Sequence, residues 1–333
     1  MKCSEVAFAK NLLQVKEYVK IMANTKITES ELDQIAIDVS NWGRWGSDDE
    51  RGALNLINDV KRAQAASLVQ EGLTISCALP MPVTPAPDNP DPVAHYMLAT
   101  GDLPPGAIFP GMAFTADYFA VACHGFATTH LDALCHIIFE GKIYNGYDAH
   151  EVTSLGANRN SVMSGEDGIV GRGVLLDIPG LRGVEWLEPG DQVTRDDLED
   201  AEDRQGVHVE DGDIVMVATG RDARREANQN SSVMEEGLAG LGADSLPWLH
   251  ERGVAVLGCD GVNDVLPGNI GKWTMPIHQM GMVYIGLHLI DNMQLNHLLE
   301  ACRQRERWTC FFTMAPLKLE RGTGCPVNPI AVL

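Results

Sequence analysis

Asp213-Ile214-Val215-Met216-Val217-Ala218-Thr219 sets an unbroken apolar run between two polar residues. A short run of this kind reads as a strand buried on both faces, as in the centre of a parallel sheet. Gly173-Val174-Leu175-Leu176-Asp177 and Val254-Ala255-Val256-Leu257-Gly258-Cys259-Asp260 read the same way. Helical stretches separate them. Thr194 caps an acidic helix, RDDLEDAED, whose charge forms a solvated face, and Ser245 to Arg252 forms a helix packed on the sheet. Strands alternating with helices define a mixed α/β domain.

Towards the C-terminus, Leu298 to Arg305 is helical and Phe311-Phe312-Thr313-Met314-Ala315-Pro316-Leu317 is a strand. Towards the N-terminus, residues 5–20 show an amphipathic helix with Val6, Leu12, Leu13, Val15 and Val19 near helical spacing. Thr28-Glu29-Ser30-Glu31 opens a second helix with capping chemistry, and Asp59 to Glu71 forms another, ended by Gly72. Nine of the seventeen prolines lie between Pro80 and Pro110, which excludes a regular helix or central strand there. Such a segment serves as a lid, a subunit arm or a passive surface loop. No repeat, low-complexity tract or linker interrupts the chain. The expected division is a helical appendage over residues 1–40 and a single domain over residues 41–333.

The formal charge of −21 over 333 residues is spread along the chain. A surface of that sign repels phosphate backbones and anionic lipid, so neither nucleic acid nor membrane is an expected partner. The eight cysteines form no C-x-x-C pair and several sit in apolar runs, as reduced buried thiols do. Lys10, Lys16 and Lys20 interrupt the N-terminal segment, which is not a signal peptide, and no apolar run approaches a membrane span. The expected setting is the cytoplasm.

Chemistry gathers in residues 124–136, HGFATTHLDALCH. Ten histidines over the whole chain would place about 0.4 in a random window of this size, and this one holds three. His124-Gly125 follows the β-prone run Asp117 to Cys123 and sits where a strand ends. In an extended segment His130 and Asp132 share a face and address one ion. His136 lies four residues beyond Asp132; a helix starting at Ala133 would hang its imidazole near that carboxylate. An isolated histidine is more often a hydrogen-bonded core residue, but three beside threonines and glycine favour a metal site. Other chemistries lack their signatures: G-x-S-x-G, G-x-G-x-x-G, G-x-x-x-x-G-K-[ST] and H-E-x-x-H are all absent. A downstream group, His278 with His288 and Asp291-Asn292, needs the fold to bring it together.

The window resembles the signature H-x-G-T-H-x-D-A-P-x-H of the cyclase family of metal-dependent hydrolases, through Thr129, His130, Asp132, Ala133 and His136. That family includes bacterial kynurenine formamidases, isatin hydrolase and trans-dienelactone hydrolase. Arg44 to Asn55, Gly286 to Asn292 and Gly322 to Pro329 are similar to its larger members. The resemblance implies a swivelling β/β/α architecture, a mixed barrel-like sheet with surrounding helices, and a homodimer or homotetramer. It implies a divalent Mn2+ or Zn2+ ion activating water against an amide or ester carbonyl of a small-molecule substrate. Carried over, His130 and Asp132 are metal ligands and His136 is the acid/base residue. His278 joins them at the catalytic site, and the downstream acidic ligand falls on Asp291.

Four departures stand out. Leu134 replaces a proline. Phe126 occupies the position of the first histidine ligand, a place His124 takes if the turn carries two extra residues. Asp291 stands for a glutamate, and Met282 for a second downstream histidine, so the fuller two-metal ligand set is not completed. The expected activity is hydrolysis of a small cyclic or N-acyl amide or of a lactone. Metal-dependent cyclisation or dehydration, and ligand binding by a metal-free relative, are the alternatives.

Overall fold

The apolar runs form strands because each places side chains on both faces of a covered sheet. The computed structural model describes residues 27–102, 109–228 and 232–333. In chain order the longer strands are β1 (Thr74–Ser76), β2 (Ala94–Ala99), β3 (Ala116–Ala120), β4 (His130–Asp132), β5 (Ile169–Asp177) and β6 (Ile214–Ala218). They continue with β7 (Val256–Cys259), β8 (His288–Asp291), β9 (Thr309–Met314), β10 (Gly324–Pro326) and β11 (Ile330–Val332). Nine of these make one mixed sheet, ordered β1-β11-β9-β5-β6-β7-β8-β4-β10, curled into a half-barrel. The strands from β5 to β8 are parallel in the centre, and the flanking pairings are antiparallel. The barrel-like mixed sheet with surrounding helices is the architecture found.

Alternation along the central strands splits the interior into two cores. Leu176, Val215, Val217, Leu257 and Leu289 face one, while Leu175, Ile214, Met216, Val256 and Ile290 face the other. Each such side chain, removed from water, stabilises the fold by roughly 1.5–3 kcal/mol.

The helices covering the sheet include α1 (Glu29–Asp38), α2 (Asp59–Ala66), α3 (Arg195–Gln205), α4 (Leu246–Glu251) and α5 (Asn296–Arg305). Thr28 with Glu31, and Thr194 with Asp197, close reciprocal capping boxes on α1 and α3. Helix α1 drives Leu32 and Ala36 into the first core, and its Asp33 accepts from the Trp273 indole at 3.0 Å. The helix expected over residues 5–20 lies outside the described residues. Helix α2 ends at Ala66, earlier than the expected Glu71.

Among its described residues the proline-rich segment carries a strand, β2, which pairs there with β3 alone, in a ribbon separate from the main sheet. Tyr96 and Tyr118 sit opposite each other there with ring centroids 4.9 Å apart. Among the described residues no helix is long and apolar enough to cross a membrane.

Candidate metal centre

Strand β4 is short, fully buried and held on both sides. Its register sets His130 opposite Asp291 of β8, and Asp132 opposite Gly324 of β10. A β-carbon at Gly324 would lie 2.8 Å from Cε1 of His124 and 2.5 Å from the Leu131 carbonyl oxygen. Glycine there gives the His124 ring its berth.

Asp132 is the hub. Its Oδ1 lies 2.8 Å from His124 Nδ1, 3.4 Å from His130 Nε2 and 4.0 Å from His136 Nε2. Its Oδ2 lies 3.6 Å from His278 Nε2, which is also 3.6 Å from Asp291 Oδ2. Close as these atoms are, none of these contacts is a hydrogen bond: among the described residues Asp132 Oδ1 and Oδ2 and His124 Nδ1 are buried without a partner. Buried polar atoms without a partner are costly, and a cation held among them would satisfy them. Donor atoms of His124, His130 and Asp132 lie within 4.8 Å of one another, as do those of Asp132, His278 and Asp291. Imidazole nitrogen with carboxylate oxygen is a ligand set that zinc and manganese accept.

The rings are aimed from behind. His130 Nδ1 donates to the Thr128 carbonyl at 2.8 Å, which leaves Nε2 as the inward lone pair. His278 is the second residue of the π-helix Ile277–Ile285, and Asp264 accepts from the Ile277 and His278 amides and from His278 Nδ1 at 2.6 Å. Asn263 donates to Asp291 Oδ1 at 2.6 Å, fixing the carboxylate so that Oδ2 faces inward.

His136 reaches the cluster by another route than a helix. The chain makes a single turn after Asp132, closed by the His136 amide on the Ala133 carbonyl, while the Cys135 amide is drawn to Asn160. Its ring stacks on His124, centroids 3.8 Å apart and nearly coplanar. The side chains of His124 and His136 are 28% and 27% exposed, against 2% for His130 and 4% for His278, so the first pair forms the open side.

Burial pushes the Asp132 carboxyl upward, but the imidazoles of His124 and His278 outweigh it and hold the group well below the usual carboxylate range. Burial pulls His278 down, yet Asp132, Asp264 and Asp291 raise it well above an ordinary histidine. Burial also brings His136 down to about 4, against the pull of Asp132, so its ring is neutral at pH 7. A cavity of about 390 Å3 opens beside His124, with Pro87, Phe126, Thr128 and Met234 in its wall. That size suits a small metabolite.

The fold thus gathers His124, His130, Asp132, His136, His278 and Asp291 at one place. His124 does stand beside Asp132, with Phe126 displaced into the cavity wall. His288 does not join them: its strand position faces the second core, where Nε2 lies 3.2 Å from Ser164 Oγ. Met282 is buried in the first core. Asp264 and Asn263 were not legible as site residues; their one signal is a polar pair set between Val262 and Val265 just past β7.

Fold and site together define a mixed-sheet protein built around a buried histidine–carboxylate cluster. The chain belongs to the cyclase family, whose model, described as "Putative cyclase", matches residues 68–263, more than half of the chain. A solved structure described as a novel cyclase is 30% identical, over 88% of this chain and 99% of that one, with a TM-score of 0.79. Isatin hydrolase A from Labrenzia aggregata, solved with benzyl benzoate, is similar in fold at 19% identity, covering 82% of this chain and 97% of its own, with a TM-score of 0.57. An isatin hydrolase bound to the product analogue thioisatinate matches at 18% identity over 80% and 94%, with a TM-score of 0.56. No curated protein matches the chain.

Proposed function

We propose that this protein is a metal-dependent hydrolase of a small cyclic or N-acyl amide, or of a lactone. The observation that carries the reading is Asp132, fully buried among four imidazoles, with neither oxygen hydrogen-bonded among the described residues. His124, His130, Asp132, His278 and Asp291 would hold a Zn2+ or Mn2+ ion. Such an ion supplies Lewis acidity to a carbonyl and to water. The neutral His136 ring, on the open side, takes a proton from the attacking water and returns it to the leaving group. Asp264 keeps His278 oriented throughout. The cavity beside His124 receives the acyl or ring portion of the substrate, and isatin hydrolase in the similar structures makes a cyclic amide the first compound to try.

The test is metal analysis of protein purified without chelator, joined to hydrolysis assays on isatin, formylkynurenine and dienelactones. Bound Zn2+ or Mn2+ and metal-stimulated turnover are expected. Absence of both overturns the proposal. Product mass separates hydrolysis, which adds one water, from cyclisation or dehydration.

A homodimer or homotetramer is part of the same proposal. The β2–β3 ribbon exposes Tyr96, Met97, Leu98, Tyr118 and Phe119, a large apolar surface for a lone subunit. Light scattering after gel filtration should give at least twice the 36.2 kDa chain mass. A cytoplasmic setting accords with Cys77, Cys135, Cys259, Cys302, Cys310 and Cys325 being buried as free thiols.

A further inference from the structure

Behind the metal centre lies a polar network that meets His130 through the Thr128 carbonyl. Arg221 is 5% exposed and Asn292 fully buried. The Arg221 guanidinium donates to Asn292 Oδ1 at 2.6 Å, to the Phe126 carbonyl at 2.9 Å and to the Asp260 carbonyl at 3.2 Å, with Asp88 Oδ2 at 3.7 Å. The Asn292 amide in turn donates to the carbonyls of Gly125 at 2.7 Å and Thr128 at 3.1 Å. The backbone carbonyl of Asn292 accepts from Thr129 Oγ1 at 2.5 Å. The Thr128 carbonyl is also the acceptor that orients His130.

Two properties make Asn292 more than a loop filler. It directly follows Asp291, so one residue joins the downstream carboxylate to the loop between His124 and His130. Its backbone also lies in the left-handed region, at a φ of 54°, where asparagine is among the few side chains commonly tolerated. Arg221 fixes which way the amide points, because its N–H must meet the oxygen end, leaving the NH2 for the two loop carbonyls. A lysine lacks the fork to hold Asn292, Phe126 and Asp260 together.

We infer that Arg221 and Asn292 are positioning residues for the metal centre. They lock the Gly125–Thr128 loop to the end of β8, so that His124 and His130 converge on Asp132 from fixed directions. This rests on the metal-centre reading above. Outer partners of this kind typically set metal affinity by about 10–100-fold.

The experiment titrates metal-free full-length protein with Co2+, following visible absorption and thermal melting. Asn292→Gly removes the amide while keeping the left-handed backbone unstrained, and Arg221→Lys keeps a cation beside Asp88 but loses the fork. Expected are a 10–100-fold weaker Co2+ affinity in Asn292→Gly, an altered band shape at saturating Co2+, and a smaller change of the same kind in Arg221→Lys. A purely structural role would lower the melting temperature and leave the saturated spectrum unchanged. Wild-type affinity and spectrum in the variants, or in Arg221→Lys alone if Asn292→Gly does not fold, would overturn the inference. Failure of the wild-type protein to take up Co2+ sinks the metal-centre reading instead, and this one with it.

Discussion

The two sides of the candidate metal centre are built differently. On the inner side, His130, His278 and Asp291 sit on regular elements, almost without exposure, and each is held from behind by Thr128, Asp264 or Asn263. On the open side, His124 and His136 come from loop and turn, over a quarter exposed, stacked on each other beside the cavity. A group that must hold geometry needs a rigid mount, whereas a group that meets substrate and passes a proton needs access and a free lone pair. Asp132 belongs to both sides, since its Oδ1 faces the open imidazoles and its Oδ2 faces His278.

Both sides depend on that hub, so removing it tests them together. Asp132→Asn should lose bound metal and about a thousandfold or more in kcat/KM, a loss on the scale of deleting a principal electrostatic group. Retained metal and unchanged turnover would show that the two sides do not meet at Asp132. His136→Gln should lower kcat by about a hundredfold while metal content stays at the wild-type level, which steady-state kinetics and metal analysis together resolve. Loss of metal in this variant would move His136 to the inner side. Asp264→Asn should leave the open side intact and weaken metal binding by about tenfold, read by competition with a chromophoric chelator.

The smallest effect tests why Asp132 needs its imidazoles. Asp213 is as deeply buried, but without them burial pushes its carboxyl up to about 6, despite Arg172 at 3.7 Å. A carboxyl raised in the folded state favours folding at low pH, and that contribution fades as pH rises through about 6. Asp213→Asn should therefore match the wild type near pH 4 and exceed it above pH 7, by on the order of 2 kcal/mol in chemical denaturation. A constant difference across that range would show that Asp213 does not titrate in this window.

Much of the fold was legible because burial writes itself into sequence. The runs at 173–177, 213–219 and 254–260 became β5, β6 and β7, and Thr28 and Thr194 sit as N-caps. His130 and Asp132 were legible as a pair because strand alternation is local. A helix from Ala133 would bring His136 near Asp132; a hydrogen-bonded turn brings it there instead. The proline-rich segment excluded a central strand, yet the proline-free Ala94–Ala99 still made half of a ribbon.

From the sequence alone came the residue types and their short-range spacing, because side-chain periodicity and cap chemistry depend on a few neighbours. Tertiary structure alone decided that Asp291 stands opposite His130, that His278 turns its Nε2 inward, and that His288 faces away. Those outcomes depend on strand register and on distant hydrogen-bond partners such as Asp264, which local propensity does not encode.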